Sequence, residues 1–145
     1  MVELASLRFH LETGHRVLVQ VPEPEADRVL NAILDVDPLP WGDYDRVSYV
    51  AGVGEQRFRA LSNSRNVPTA ETVMVPCVEL QVFTCADAST LEALVRAIYD
   101  AHPYEEPVVQ IVEAHRTRHI PGLDEDNPNR FWNREPASWV PEEHR

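Results

Sequence analysis

His102-Pro103-Tyr104-Glu105-Glu106-Pro107 places an imidazole, a phenol and two carboxylates in one short run. Such a group can hold a divalent metal through nitrogen and oxygen donors. It can also move a proton. The same residues make a good corner. Pro103 ends a helix, Pro107 starts a strand without needing to donate, and a charged His102 suits a helix C-terminus.

A second set lies farther on, where His115 and His119 form His-x-x-x-His with Glu113 nearby. On a helix both imidazoles share one face, which suits Zn²⁺. On a strand they stand roughly 13 Å apart, too far to share one ion. Pro121-Gly122 leaves little room for a helix. The candidate metal ligands are therefore His102, Glu105, Glu106, His115 and His119. His10 and His15 flank Thr13-Gly14, which reads as a turn. Asp124-Glu125-Asp126-Asn127 lacks the Gly and distant Glu of a calcium loop, so it reads as a solvated acidic turn. Ser48, Ser62, Ser64, Ser89 and Ser138 sit in no G-x-S-x-G elbow, and Cys77 has no adjacent base in sequence, so no nucleophilic triad is visible and only a Cys–His pair formed through space stays open. Cys77 and Cys85 fall in one extended run. Eight residues of strand span roughly 26 Å, so these two are expected as buried free thiols rather than a disulfide.

The elements that must position these groups follow from periodicity. Residues 16–21 (RVLVQV) are β-branched and read as a strand. Pro22 and Pro24 suit a helix start, and Ala26, Val29, Leu30, Ile33 and Leu34 share a helical face that stops before Pro38. Residues 45–51 and 56–61 read as a hairpin around Gly52 and Gly54. Residues 72–84 form an extended run that Pro76 is expected to interrupt. Ser89-Thr90-Leu91-Glu92 matches a capping box. Leu91, Leu94, Val95, Ile98 and Tyr99 give a second amphipathic helix, ended by His102-Pro103. Residues 107–112 form a last strand, and 4–10 add a short first one. The order β-α-β-β-α-β predicts an α+β fold, the ferredoxin-like split βαβ sandwich. One sheet face meets the helices. The other mixes apolar and polar groups, as in Glu79, Gln81 and Phe83, so it is expected to pack on another subunit or on the C-terminal tail.

Composition narrows the function classes. The 145 residues carry 13 Arg, no Lys and 24 acids, a net charge of −11. So acidic a chain is a poor nucleic-acid binder. No stretch approaches the ~18 apolar residues of a membrane span. The start lacks a basic segment followed by an apolar run, so the expected location is the cytoplasm. Residues 1–113 hold 8 Arg against 18 acids and read as the packed domain. Residues 114–145 hold 5 Arg, 6 acids and four prolines and read as a mostly irregular tail. Phe131, Trp132 and Trp139, interleaved with Arg130 and Arg134, are expected to anchor that tail on the acidic domain or on a neighbouring subunit.

Three stretches then point to a family. HPYEEP, residues 17–34 (VLVQVPEPEADRVLNAIL), and the turn Gly42-Asp43-Tyr44-Asp45 leading to Gly52-x-Gly54-x-x-x-Phe58-Arg59 cover roughly 15–113. They resemble the domain inserted in Nif-three-like metal proteins, a ferredoxin-like module similar to PII signalling proteins and to CutA. The resemblance implies a free-standing copy of that insert, trimeric like CutA and PII, without the flanking domains that hold the metal pair. It also implies intersubunit clefts for a small ligand or a divalent metal. Tyr44, Asp45, His102, Tyr104, Glu105 and Glu106 are the candidate ligand-binding residues. The expected function is a non-enzymatic, oligomeric binding or regulatory module. The alternatives are a metal-assisted hydrolase using His102 and neighbouring carboxylates, or a structural partner of a full-length Nif-three-like protein.

Overall fold

The computed structural model describes residues 2–145. It divides into two compact units, residues 11–118 and residues 2–10 with 119–145. The larger unit is an antiparallel sheet with two helices on one face. Its elements are β1 (Phe9–Pro22, entering from the smaller unit), α1 (Ala26–Val36), β2 (Ser48–Val50), β3 (Gly54–Phe58), β4 (Val73–Thr84), α2 (Ala88–Ala101) and β5 (Val108–His119). The sheet order is β2-β4-β1-β5, with β3 also on β4, which is the ferredoxin-like arrangement. No helix among the described residues is long and apolar enough to cross a membrane.

Alternation along the strands builds the core. Val17, Val19 and Val21 of β1 and Val78, Leu80 and Val82 of β4 point to one side and pack with Val29 and Ile33 of α1 and Leu94 and Ile98 of α2. Helix α1 follows a 3-10 turn over Glu23–Glu25 and ends as the Asp37 amide bonds the Ile33 carbonyl. The buried Asp37 carboxylate then accepts from the Leu39 amide at 2.8 Å and from the Thr84 hydroxyl. These bonds hold Leu39 buried at a φ of 53°.

Several local expectations change. Residues 45–61 form no hairpin, because β2 and β3 both pair with β4. Val50 stands opposite Leu80 and Gly54 opposite Cys77, so this side carries one residue more than β4 does. That makes one edge strand with a bulge at 51–53. The hairpin is instead β3–β4, joined by residues 59–72.

Pro76 does not interrupt β4. The β1 ladder ends at Pro22 opposite Cys77, so no β1 partner lies opposite residue 76 to need its missing N–H. Residues 4–10 form no separate strand; β1 begins at Phe9 and runs through Thr13-Gly14 without a turn. A Cβ on Gly14 would lie 2.4 Å from the Thr84 carbonyl oxygen and 2.6 Å from the Phe83 ring, so glycine allows this close approach. The cap of α2 is Asp87 rather than Ser89, its carboxylate accepting from the Thr90 amide at 2.9 Å. That hydrogen bond holds the Asp87 carboxyl below its ordinary value.

The smaller unit is organised by Asp124. Its carboxylate takes Asn127 Nδ2 at 3.0 Å, Arg8 at 2.6 Å and Arg130. The Asn127 bond lowers its pKa against the opposing effect of burial, with help from the two arginines. Asp124 is thus a folded hub, while Glu125 and Asp126 stay exposed, as expected of an acidic turn. Phe131 meets Trp132 and Trp139 edge to face. Trp139 is nonetheless 68% exposed and Trp132 50%.

Candidate functional site

The HPYEEP corner joins α2 to β5 and closes a ring of hydrogen bonds. His102 is 7% exposed. Its Nδ1 lies 3.0 Å from the Tyr104 amide and so must accept, while Nε2 lies 2.8 Å from the Gln20 carbonyl and so must donate. This makes His102 the neutral Nε2–H tautomer with neither nitrogen free. The Tyr104 hydroxyl stands 3.9 Å from Cys77 Sγ, which donates to Gln56 Oε1 at 3.6 Å. Gln56 Nε2 in turn donates to Gln20 Oε1 at 3.1 Å. Four separate stretches of chain are thereby tied together. Burial, and then the neighbouring Cys77 thiol, push the Tyr104 phenol up to about 12, so it stays protonated and keeps its hydrogen. Phe58 packs on the Tyr104 ring at 6.2 Å, and Glu105 accepts from the Arg65 amide of the β3–β4 loop at 2.9 Å.

Beside this ring lies a shallow cleft of about 170 Å³ lined by Gln20, Gly52, Gly54, Glu55, Gln56, Cys77, Val78 and Glu79. It has carboxylates, amides and one thiol but no cation. Its chemistry suits a small neutral or cationic guest better than an anion. Gly52, within the bulge, and Gly54, just after it, make its rim from backbone.

A different cluster occupies the other end of the β1–β4 ladder. Arg116 is 8% exposed and lies 4.7 Å from the Trp41 ring centre and 4.8 Å from that of Phe83. Its Nε donates to Glu12 at 2.8 Å and its Nη2 to the Pro40 carbonyl at 3.0 Å. Trp41 Nε1 donates to the Thr117 carbonyl. Partial burial works against ionising Glu12, but the Arg116 hydrogen bond and charge hold it below the usual carboxylate value. Cys85 donates to the same carboxylate at 3.6 Å, and burial pushes its thiol up. Cys85 is exposed, unlike Cys77, which is 5% exposed. This cluster holds a buried charge between two rings, with Nε and Nη2 both donating, which is a structural use.

The residues singled out by sequence are therefore dispersed. Tyr44 and Asp45 sit on an exposed turn closed by reciprocal Trp41–Tyr44 backbone bonds, at the Arg116 end and away from His102. His115 and His119 lie on β5, so the helical His-x-x-x-His arrangement does not form, and strand spacing keeps them roughly 13 Å apart. His115 Nδ1 instead faces the Thr13 hydroxyl at 3.2 Å. Glu106 is exposed. Among the described residues no group of three or more His, Cys, Asp or Glu is placed to hold a metal. Sequence reasoning missed Gln20, Gln56 and Glu79 as cleft residues, and it missed the Glu12–Arg116 pair. Alternation marks their faces, but only the register brings them together.

No family model and no curated protein sequence matches the chain. Solved structures do match its fold. A Bacillus cereus protein related to NIF3 superposes at a TM-score of 0.61 with 22% identity over 76% of this chain. The chain spans only 28% of that protein. CutA from Synechococcus elongatus gives 0.53 with 15% identity, over 74% of this chain and 85% of its own. The divalent cation tolerance protein CutA1 from Thermus thermophilus gives 0.50 with 19% identity, over 70% and 82%. The chain thus has the CutA-like ferredoxin fold.

Proposed function

We propose that this chain is a non-enzymatic binding module that associates with copies of itself, three in the favoured assembly, through the sheet face that its helices leave uncovered. One observation carries this reading. The chain has four glutamines, Gln20, Gln56, Gln81 and Gln110, one each on β1, β3, β4 and β5. Each alternates with inward-facing residues or bonds to one that does, so all four fall on the open face. They accompany Leu18, Tyr49, Val108 and Val112, of which Tyr49, Val108 and Val112 are exposed. In a chain of net charge −11, a face of amides and apolar groups is where copies meet with least repulsion. An amide both donates and accepts, so identical faces can satisfy one another.

The cleft beside Cys77 opens on the same side and is the ligand site in this reading. A small neutral molecule or a divalent cation fits its lining. A cation would draw donors from more than one copy, because His102 is committed and the described residues of one chain gather no ligand cluster. The name of the Thermus relative, a divalent cation tolerance protein, agrees with a cation. Light scattering on the purified chain tests the assembly: the expected mass is three times the 16.5 kDa of one chain, and a monomer at every concentration overturns the reading. Calorimetry with Zn²⁺, Cu²⁺ and Mn²⁺ tests the cation separately, and no heat above dilution would remove it.

The fold shared with the NIF3-related protein supports a second reading, co-assembly with a full-length protein of that type. Co-purification of the two from one cell tests it.

A further inference from the structure

The uncovered face is electrically polarised, and we propose that Arg16 of one copy pairs with Glu79 of the next. This rests on the self-association reading above and names the contact that orients it. Arg16 precedes buried Val17, and Glu79 lies between buried Val78 and Leu80, so both side chains leave the sheet on the open side. In the β1–β4 register Arg16 stands opposite Phe83, and Glu79 stands opposite Gln20. The pair lies diagonally about Leu18 and Gln81, separated by four residues or roughly 13 Å along the strands. That distance is too great for a contact within one chain.

Both charges lack an ionic partner. None of the ion pairs among the described residues includes Arg16 or Glu79. Glu79 only accepts an amide hydrogen bond from Gln81 at 3.0 Å. On the strands at the Arg16 end, Arg116 and Arg118 share Glu12. At the Glu79 end, Glu55 lines the same cleft. Between them lie Leu18 and Gln81, which are uncharged.

Each chain therefore presents one unpaired cation and one unpaired anion on the surface expected to be covered. In any closed ring, each copy gives one Arg16 and receives one, so both of these charges are matched in every copy. Arginine suits this position because its planar fork can bind a carboxylate through two bonds. The same contact limits which relative orientations of the two faces are tolerated, since like ends repel.

The test is sedimentation equilibrium on the full chain, with near-ultraviolet circular dichroism to check folding. R16E and E79R are each expected to weaken association at least tenfold. The double exchange R16E/E79R is expected to recover most of that loss, and raised salt to weaken the wild type. An oligomeric wild type that neither single reversal disturbs overturns the pairing alone. So does a double exchange no stronger than its weaker parent. A wild type that stays monomeric overturns the self-association reading, and the pairing with it. If either reversal loses its native circular dichroism, R16Q and E79Q replace them; neutralisation is expected to weaken association at least threefold, and no change overturns the pairing.

Discussion

Val17, Val19 and Val21 are fully buried beneath the helices, while Arg16, Leu18 and Gln20 on the same strand remain wholly or partly open. The two faces are made from alternate residues of one set of strands, and they differ in how their burial is completed. The helix face is finished within the chain, by aliphatic groups that need no partner of particular chemistry. The open face keeps its apolar groups among amides and two charges without an ion-pair partner among the described residues, and in the proposed assembly a second copy covers it. In that reading the difference separates what stabilises one chain from what joins several.

Substitution at single sites tests how sharp that division is. The largest effect belongs to the covered face. Ile33→Ala is expected to lower unfolding free energy by about 2–5 kcal/mol in urea titrations, because a closely packed core cannot collapse into the space left. Arg116→Ala comes next, at about 3 kcal/mol, because it leaves partly buried Glu12 with only the longer contact to exposed Arg118 and removes the filling between Trp41 and Phe83. Glu12 then sets a pH dependence. Its folded pKa is lowered, so its stabilisation is present above its ordinary value near 4.5 and is lost as pH falls through the lowered folded value. In Arg116→Ala that acid-side loss should shrink. Gly14→Ala should destabilise by about 1–3 kcal/mol, since the added methyl meets a backbone oxygen that cannot easily withdraw.

Leu18→Ala sharpens the comparison from the other side. Under dilute, monomeric conditions it should change stability by less than about 1 kcal/mol, yet shift the association curve. A change as large as that of Ile33→Ala would mean that the two faces do not differ as described. The smallest signal is spectroscopic. Ultraviolet titration should show a phenol ionising near 12 that disappears in Tyr104→Phe. Because that pKa is raised on folding, the stabilisation is present below about 10 and is lost as pH rises through about 12.

Much of the fold was legible because alternation and helical periodicity survive in one dimension. Val17, Val19 and Val21, and Ala26, Val29 and Ile33, each declare a face before any neighbour is known. Misreadings came where pairing partners decide. Residues 45–61 carry glycines at hairpin spacing, but β4 offered a better edge and the glycines became a bulge. Thr13-Gly14 looks like a turn until Phe83 and Thr84 are seen to require a residue without a side chain. The near-neutral charge of 114–145 suggested a tail docked on an acidic surface. Arg116 and Arg118 belong to β5, however, and both bind Glu12. The remaining residues 119–145 hold three Arg against six acids, which removes that electrostatic rationale.

The candidate site was legible only in part. HPYEEP marked the corner, since two prolines four residues apart restrict a chain wherever they occur. Its chemistry was not legible, because both nitrogens of His102 are taken by groups at residues 20 and 104. Residue order by itself determined the α+β elements, the covered face and the acidic charge, because these depend on neighbours within a few positions. Tertiary structure alone decided that His102 holds a corner and that Cys77 meets Tyr104. It also decided that Arg16 and Glu79 share a face without meeting. Hydrogen bonds and ion pairs act over a few ångströms of space, and the register sets which distant residues come within that range.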